Sequence, residues 1–288
     1  MKLRSFLAVA ACAVFASASL NAADKPLKVL IIAGGCCHDY VKQPIILKKG
    51  IEERANATVE IVLCPDEATR TKTTAKFPLY DDPNWAKNFD VVIHDECSAD
   101  VMDHPYVDNI VNAHKDGVPG VNLHCAMHSY RKGFKINEPI KAGTPEAIWY
   151  DYLGLQSIRH GKQLPISLTF LDSGSPITKG MENWTTINEE LYNNVWKDDN
   201  FKNWPAAKPL VRGKQEAGDK IGDNDTVVAW TNEYGPKKTR VFSTTIGHNN
   251  ATVEDPRYLD LVTRGLLWTC GKLGDDGKPV KGYGPGGK

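Results

Sequence analysis

Leu27-Lys28-Val29-Leu30-Ile31-Ile32-Ala33, followed at once by Gly34-Gly35, is the stretch on which the fold turns. Six of its seven residues are apolar, and four in a row are Val, Leu or Ile. A strand with one wet face would alternate; a near-continuous apolar run marks a strand covered on both faces, as in a parallel sheet. The glycine pair supplies a sharp turn at its end. Downstream, Gln43–Arg54 has helical spacing, with Ile46, Leu47 and Ile51 able to share a face. Thr58–Leu63 reads as a second strand and Pro65–Asn88, with Pro78 and Pro83, as a long loop holding at most a short helix. Phe89–His94 is a third strand, Val101–Lys115 a helix with Pro105 near its first turn, and Gly120–His124 a fourth strand. This alternation predicts an α/β fold: a doubly wound, mainly parallel sheet of flavodoxin-like type.

The second half is less regular. Pro165–Leu171, Thr226–Thr231 and Thr239–Ile246 read as strands, and Asn188–Asn203 as an irregular, partly buried loop. Asp255–Trp268 closes the fold as a helix with Leu259, Val262, Leu266 and Leu267 inward. Residues 1–22 have the charged, apolar, small-residue order of an export signal, with cleavage after Ala22 or Ala23. A lipoprotein box ending at Cys12 ranks second. The expectation is a periplasmic or secreted protein, with one domain over 23–270 and a loose Gly- and Lys-rich tail over 271–288. No later segment has the roughly 18 uninterrupted apolar residues of a membrane span. Lys plus Arg equals Asp plus Glu at 35 each, so no footprint for nucleic acid is visible.

In open parallel sheets ligands bind beyond the carboxyl ends of the strands. Cys36, Cys37, His38, Asp39 and Tyr40 follow the first strand, and Asp95, Glu96 and Cys97 the third. His124, Cys125 and His128 come at the fourth, and Gly247, His248 and Asn249 after the last. His94 reads as another strand-end residue. Two or three histidines with a carboxylate would make an open metal site for one divalent cation, zinc or manganese. The same residues could instead serve as general base and polarising group, and the residues leave this choice open. His124 and His128 are spaced i, i+4, one face of a helix. Glu189-Glu190 could equally be a solvated pair. Loss of the signal would leave six cysteines, and export permits disulfides. Pairings among Cys36, Cys37, Cys97 and Cys125 stay open.

Several stretches then make the chain resemble the trehalose-utilisation, or ThuA-like, family, whose fold is similar to class I glutamine amidotransferases. They are Val29–Gly35 with His38, Asp90-Val91-Val92, Gly120–His124, Trp149…Gly154…His160, Pro176–Gly180, Glu189-Glu190-Leu191-Tyr192, Val228-Ala229-Trp230, Arg240-Val241-Phe242…Gly247-His248, and Gly265–Trp268. Amidotransferases carry a cysteine nucleophile on a Gly-x-Cys-x-Gly elbow; here Asn122-Leu123-His124-Cys125-Ala126 puts His124 in that position, which argues against amidotransferase chemistry. The resemblance implies carbohydrate metabolism on a small sugar or keto-glycoside, by a hydrolase, lyase or isomerase. By match to its motifs, Glu190, His124 and His38 are the catalytic candidates and His124 and His248 the metal candidates. Trp149, His160 and Tyr192 would line the substrate pocket. The rival is a non-catalytic carbohydrate-binding protein using the same cleft, suggested by the aromatic-rich Trp184–Trp204.

Overall fold

Strand β1 (Leu27–Gly35) lies inside the sheet, buried at every position except Lys28. β2 (Ala57–Leu63) and β3 (Val91–Cys97) flank it, both parallel to it. Each fully buried Val, Leu or Ile here contributes about 1.5–3 kcal/mol relative to an exposed one. The computed structural model describes residues 25–131, 138–171, 174–194, 200–215 and 224–287. The export-signal reading of residues 1–22 lies outside the described residues.

The remaining strands are β4 (Gly120–Leu123), β5 (Ser157–His160), β6 (Leu164–Phe170), β7 (Trp184–Glu189), β8 (Tyr192–Asn194), β9 (Lys208–Lys214), β10 (Asp225–Tyr234) and β11 (Thr239–Thr244). The main sheet has the order β2-β1-β3-β4-β11-β10-β9-β6-β7, and β5 pairs with β8 apart from it. From β2 to β11 every pairing is parallel; from β11 to β7 every pairing is antiparallel. Among the described residues, β10 and β6 are therefore the strands of this sheet that run against the others.

The helices are α1 (Gln43–Glu52), α2 (His104–Lys115), α3 (Ile148–Leu153), α4 (Asn200–Asn203), α5 (Asn250–Val253) and α6 (Pro256–Thr269). One core holds Val29, Ile31, Leu47, Ile51, Leu259, Val262 and Leu266, which puts α1 and α6 on one face. The other holds Leu30, Ile32, Val107, Ile110, Trp149 and Tyr152, which puts α2 and α3 on the opposite face. The sheet is thus doubly wound, as the alternation of elements predicts. Both long late starts are capped: Asp103 accepts from Tyr106 N and Asp255 from Arg257 N, each just ahead of a proline in the first turn.

Three expectations need correction. β3 does not stop at His94 but continues through Asp95, Glu96 and Cys97, all buried. Glu96 is accommodated because the Tyr80 and Tyr130 hydroxyls both donate to its Oε1, and burial, then the neighbouring Glu96, push the Asp95 carboxyl well above its usual range. His94 is consequently mid-strand, paired with Ile32 and Asn122, and its ring lies in the interior beside His114. It belongs to the core. The Asn188–Asn203 region is not one irregular loop, since β7, β8 and α4 pass through it. Residues 271–287, expected from composition to be loose, are tied to the body. Asn56 N donates to Tyr283 O, Asn56 Nδ2 to Gly282 O, and Lys179 Nζ to Asp275 O.

Candidate functional site

The carboxyl ends of β1, β4 and β11 converge. Past β1 the chain must turn at once: Gly35 has φ +99°, and a Cβ there would sit 2.1 Å from Cys97 O. That turn delivers His38. At the end of β4, His124 takes φ +41° and starts a 3-10 turn over His124–His128. A left-handed non-glycine residue at this position is costly and is held only by its surroundings. Past β11, Gly247 (φ +126°) turns the chain into His248.

The three imidazoles meet edge to face. His38 lies 4.6 Å from His124 and 4.7 Å from His248 between ring centroids. One nitrogen from each lies within 4.8 Å of the others, a spacing that could hold a metal ion. Glu190, 6 % exposed, reaches in from the β7–β8 connection. Its Oε2 stands 3.2 Å from His248 Nδ1 and 3.4 Å from both His124 Nε2 and His160 Nε2. Tyr192 on β8 places its hydroxyl 3.3 Å from His124 Nε2 and stacks on His128 at 3.9 Å.

Surrounding groups fix these side chains. His124 Nδ1 lies 2.6 Å from Thr245 O and donates to that carbonyl, which turns Nε2 toward Glu190 Oε2 and the Tyr192 hydroxyl. Neither ring nitrogen of His38 has a hydrogen-bond partner among the described residues, although both are buried. Burial, then the neighbouring His124 and His248, push the His38 imidazole down to about 2, so it is neutral, the form that ligates metals. Burial works to raise the Glu190 carboxyl, but the contacts with His124 and His248 prevail and hold it well below the usual carboxylate range. Burial likewise opposes charge on His248, and Glu190 overrides it, leaving that imidazole above its ordinary value. A cavity of about 400 Å³ lined by His38, Ile187, His248, Asn249 and Asn250 opens beside the cluster. That is within the range of small-molecule sites.

Of the residues singled out in the sequence, His38, His124, His248, Glu190, His160 and Tyr192 come together. Trp149 does not. It is 2 % exposed in the core beneath, where its Nε1 donates to Ala126 O and supports the turn that carries His124. Glu189-Glu190 is not a solvated pair, because both side chains are buried. Glu189 accepts from the backbone N–H groups of His248 and Asn249 and so clamps that loop. Among the described aromatic residues of 184–204, Arg257 covers Trp184, Trp204 donates to Asp151 and Tyr192 is in the cluster, so these three do not share one surface; Trp196 lies outside the described residues. Sequence reasoning missed Gln163, whose amide nitrogen lies 2.8 Å from His248 Nε2 and 3.4 Å from Glu190 Oε1. It also gave His128 and Glu189 no role. Their signal was only proximity to His124 and Glu190 in the chain. Cys36 is bonded to Cys37 and Cys97 to Cys125, which leaves no thiol at Cys125 for amidotransferase-type attack.

Among solved structures, a ThuA-like protein from Parabacteroides merdae superposes with a TM-score of 0.61 at 19% identity, covering 89% of this chain and 92% of that one. A ThuA-like protein from Bacteroides uniformis gives 0.59 at 14%, covering 87% and 94%. No curated protein matches the sequence. At these identities the two likenesses speak for the fold. Among the described residues no helix is long and apolar enough to cross a membrane. The profile of the ThuA family, described as trehalose utilisation, matches residues 28–269, and the chain belongs to that family.

Proposed function

We propose that this protein is an exported, metal-assisted enzyme acting on a small sugar or keto-glycoside, with His38, His124 and His248 as ligands of one divalent cation. The observation that carries the reading is the convergence of three imidazole nitrogens within 4.8 Å, next to a buried carboxylate and an open cavity. Membership of a trehalose-utilisation family favours a carbohydrate as the ligand.

The histidine donor set suits zinc or manganese. His38, His124 and His248 would hold such a cation, which when bound would supply Lewis acidity toward a carbonyl or hydroxyl oxygen of the substrate. Glu190 is the proton carrier of the site: its ionised carboxylate faces the cluster and can accept a proton from a sugar carbon or hydroxyl. Gln163 and His160 at the exposed side of Glu190 orient it, and Tyr192 holds His124. Hydrolysis, elimination and isomerisation of a keto-sugar share this need for one oxygen-polarising centre and one base.

The test is metal content by mass spectrometry on protein purified without chelator or nickel resin, followed by turnover of keto-glycosides. About one metal per chain in wild type, absent in His124→Ala and His38→Ala, supports the metal reading. Metal-free protein that still turns over keto-glycosides through Glu190 moves the chemistry to acid–base catalysis. Sugar binding without turnover, unchanged in both variants, replaces the enzyme with a carbohydrate-binding protein.

A further inference from the structure

Four of the six cysteines expected in the mature chain lie together at the carboxyl ends of β1, β3 and β4. Cys36 and Cys37 follow β1 and are bonded to each other; Cys97 ends β3 and is bonded to Cys125, next to His124. The two bonds touch: Cys36 Sγ lies 3.4 Å from Cys97 Sγ. Accessibility falls along the series, with Cys37 exposed, Cys36 partly buried, and Cys97 and Cys125 at 2 % and 5 %. A cavity of about 390 Å³ lined by Gly35, Cys37, His38, Val41, Leu63 and Arg70 opens on the exposed end. Neither the cavity nor the four sulfurs is used in the proposed sugar chemistry.

We infer that these four sulfurs form a thiol-exchange site, in which a small external dithiol reduces Cys36–Cys37 and Cys36 passes the reduction inward to Cys125. Exchange proceeds by attack of a thiolate on one sulfur of a disulfide, with the other leaving. The dithiol attacks Cys37 Sγ, the accessible sulfur, and the Cys36–Cys37 bond breaks with Cys36 leaving as thiolate. The second thiol of the reductant closes on the first and releases Cys37 as a thiol, so the dithiol becomes a disulfide and has given up two electrons. Cys36 Sγ then attacks Cys97 Sγ. A Cys36–Cys97 bond forms, the Cys97–Cys125 bond breaks, and Cys125 leaves as thiolate and takes a proton from water. The chain ends with one disulfide, Cys36–Cys97, and two thiols, Cys37 and Cys125. The second step needs no access for an outside reagent to the buried pair, which is what the 3.4 Å contact provides.

The test uses the full chain and dithiothreitol as the dithiol. Protein is mixed with one equivalent, quenched in acid, labelled with N-ethylmaleimide in acidic denaturant, and mapped by peptide mass spectrometry. The expected result is label on Cys37 and Cys125 together with a linked Cys36–Cys97 peptide. Cys36→Ser should lose reduction of Cys97–Cys125 at the same dose, while Cys37→Ser should show the Cys36–Cys97 link and a free Cys125 before any reductant is added. Label on Cys36 and Cys37 with Cys97–Cys125 still linked overturns the proposal. So do four free thiols in untreated wild type. The readout is sulfur pairing, so it stands or falls independently of metal content and sugar turnover.

Discussion

The carboxylate of Glu190 lies 3.2 Å from Nδ1 of His248, and each residue sets the charge of the other. Burial opposes charge on His248, Glu190 is the main group that overrides it, and Glu189 adds to it from further off. Glu190→Gln is therefore expected to lower the His248 pKa from its raised value in metal-stripped protein, followed by the pH dependence of its imidazole proton shifts. The same variant should lose turnover of a keto-glycoside by about 10²–10⁴-fold, the usual contribution of a positioned acid or base. An unmoved His248 titration would show that Glu190 does not control it.

Glu189 acts one residue away but on the backbone. Its two carboxylate oxygens each accept one N–H, from His248 and Asn249, and the side chain is fully buried. Glu189→Gln replaces one acceptor oxygen by a donor and leaves an N–H unpaired. The expected cost is about 1–3 kcal/mol, read as a lower midpoint in urea. Loss of metal should accompany it, because the loop holding His248 loosens. A variant as stable as wild type would mean the clamp is dispensable.

His114 makes stability depend on pH. Burial first, and His94 second, hold its imidazole well below the ordinary value. The unfolded chain takes up a proton near its usual pKa of about 6.5, which the folded chain refuses. The contribution is thus complete above that pH and is lost as pH falls. Calorimetry should show Tm dropping below about pH 6.5, and His114→Gln, though less stable at neutral pH, should drop less steeply. Parallel curves for the two proteins would assign the acid sensitivity to other groups.

Gly265 marks the contact of α6 with β11. A Cβ there would meet Phe242 Cδ1 at 2.4 Å. Gly265→Ala should lower Tm by roughly 2–10 °C, the effect of about 1–3 kcal/mol of overpacking in a domain this size. Pairing it with Phe242→Leu should recover part of the loss; no recovery would locate the clash elsewhere.

The parallel half of the sheet is legible because its strands are short apolar runs ending in glycine or in a chemistry-bearing residue. Leu27–Gly35 and Gly120–Leu123 needed no partner information to be recognised. The antiparallel half is legible only in part: Pro165–Leu171 and Thr226–Thr231 read as strands and are β6 and β10, whereas β7 and β9 give no such signal. β9 (Lys208–Lys214), and outside this sheet β5 (Ser157–His160), mix polar and apolar residues, since each is only partly covered. His94 shows the opposite failure: placed next to two acidic residues it resembles a strand end, yet tyrosine hydroxyls from Tyr80 and Tyr130 let Glu96 remain inside.

What the sequence determined by itself was local: the buried parallel strands, the helices read over Val101–Lys115 and Asp255–Trp268, and most of the strand-end residues, though not His94. These follow from periodicity and capping, which act over a few residues. Only the tertiary structure decided which strand-end residues share a site. Glu190 comes from the far, antiparallel edge, 66 residues after His124 and 58 before His248, and reaches them because β8 folds back beside β5. It likewise sent Trp149 to the core, buried Glu189 against the His248 loop, and set Cys36 against Cys97. Such pairings are made by sheet order and packing across long sequence separations, for which a single chain of letters carries no local signal.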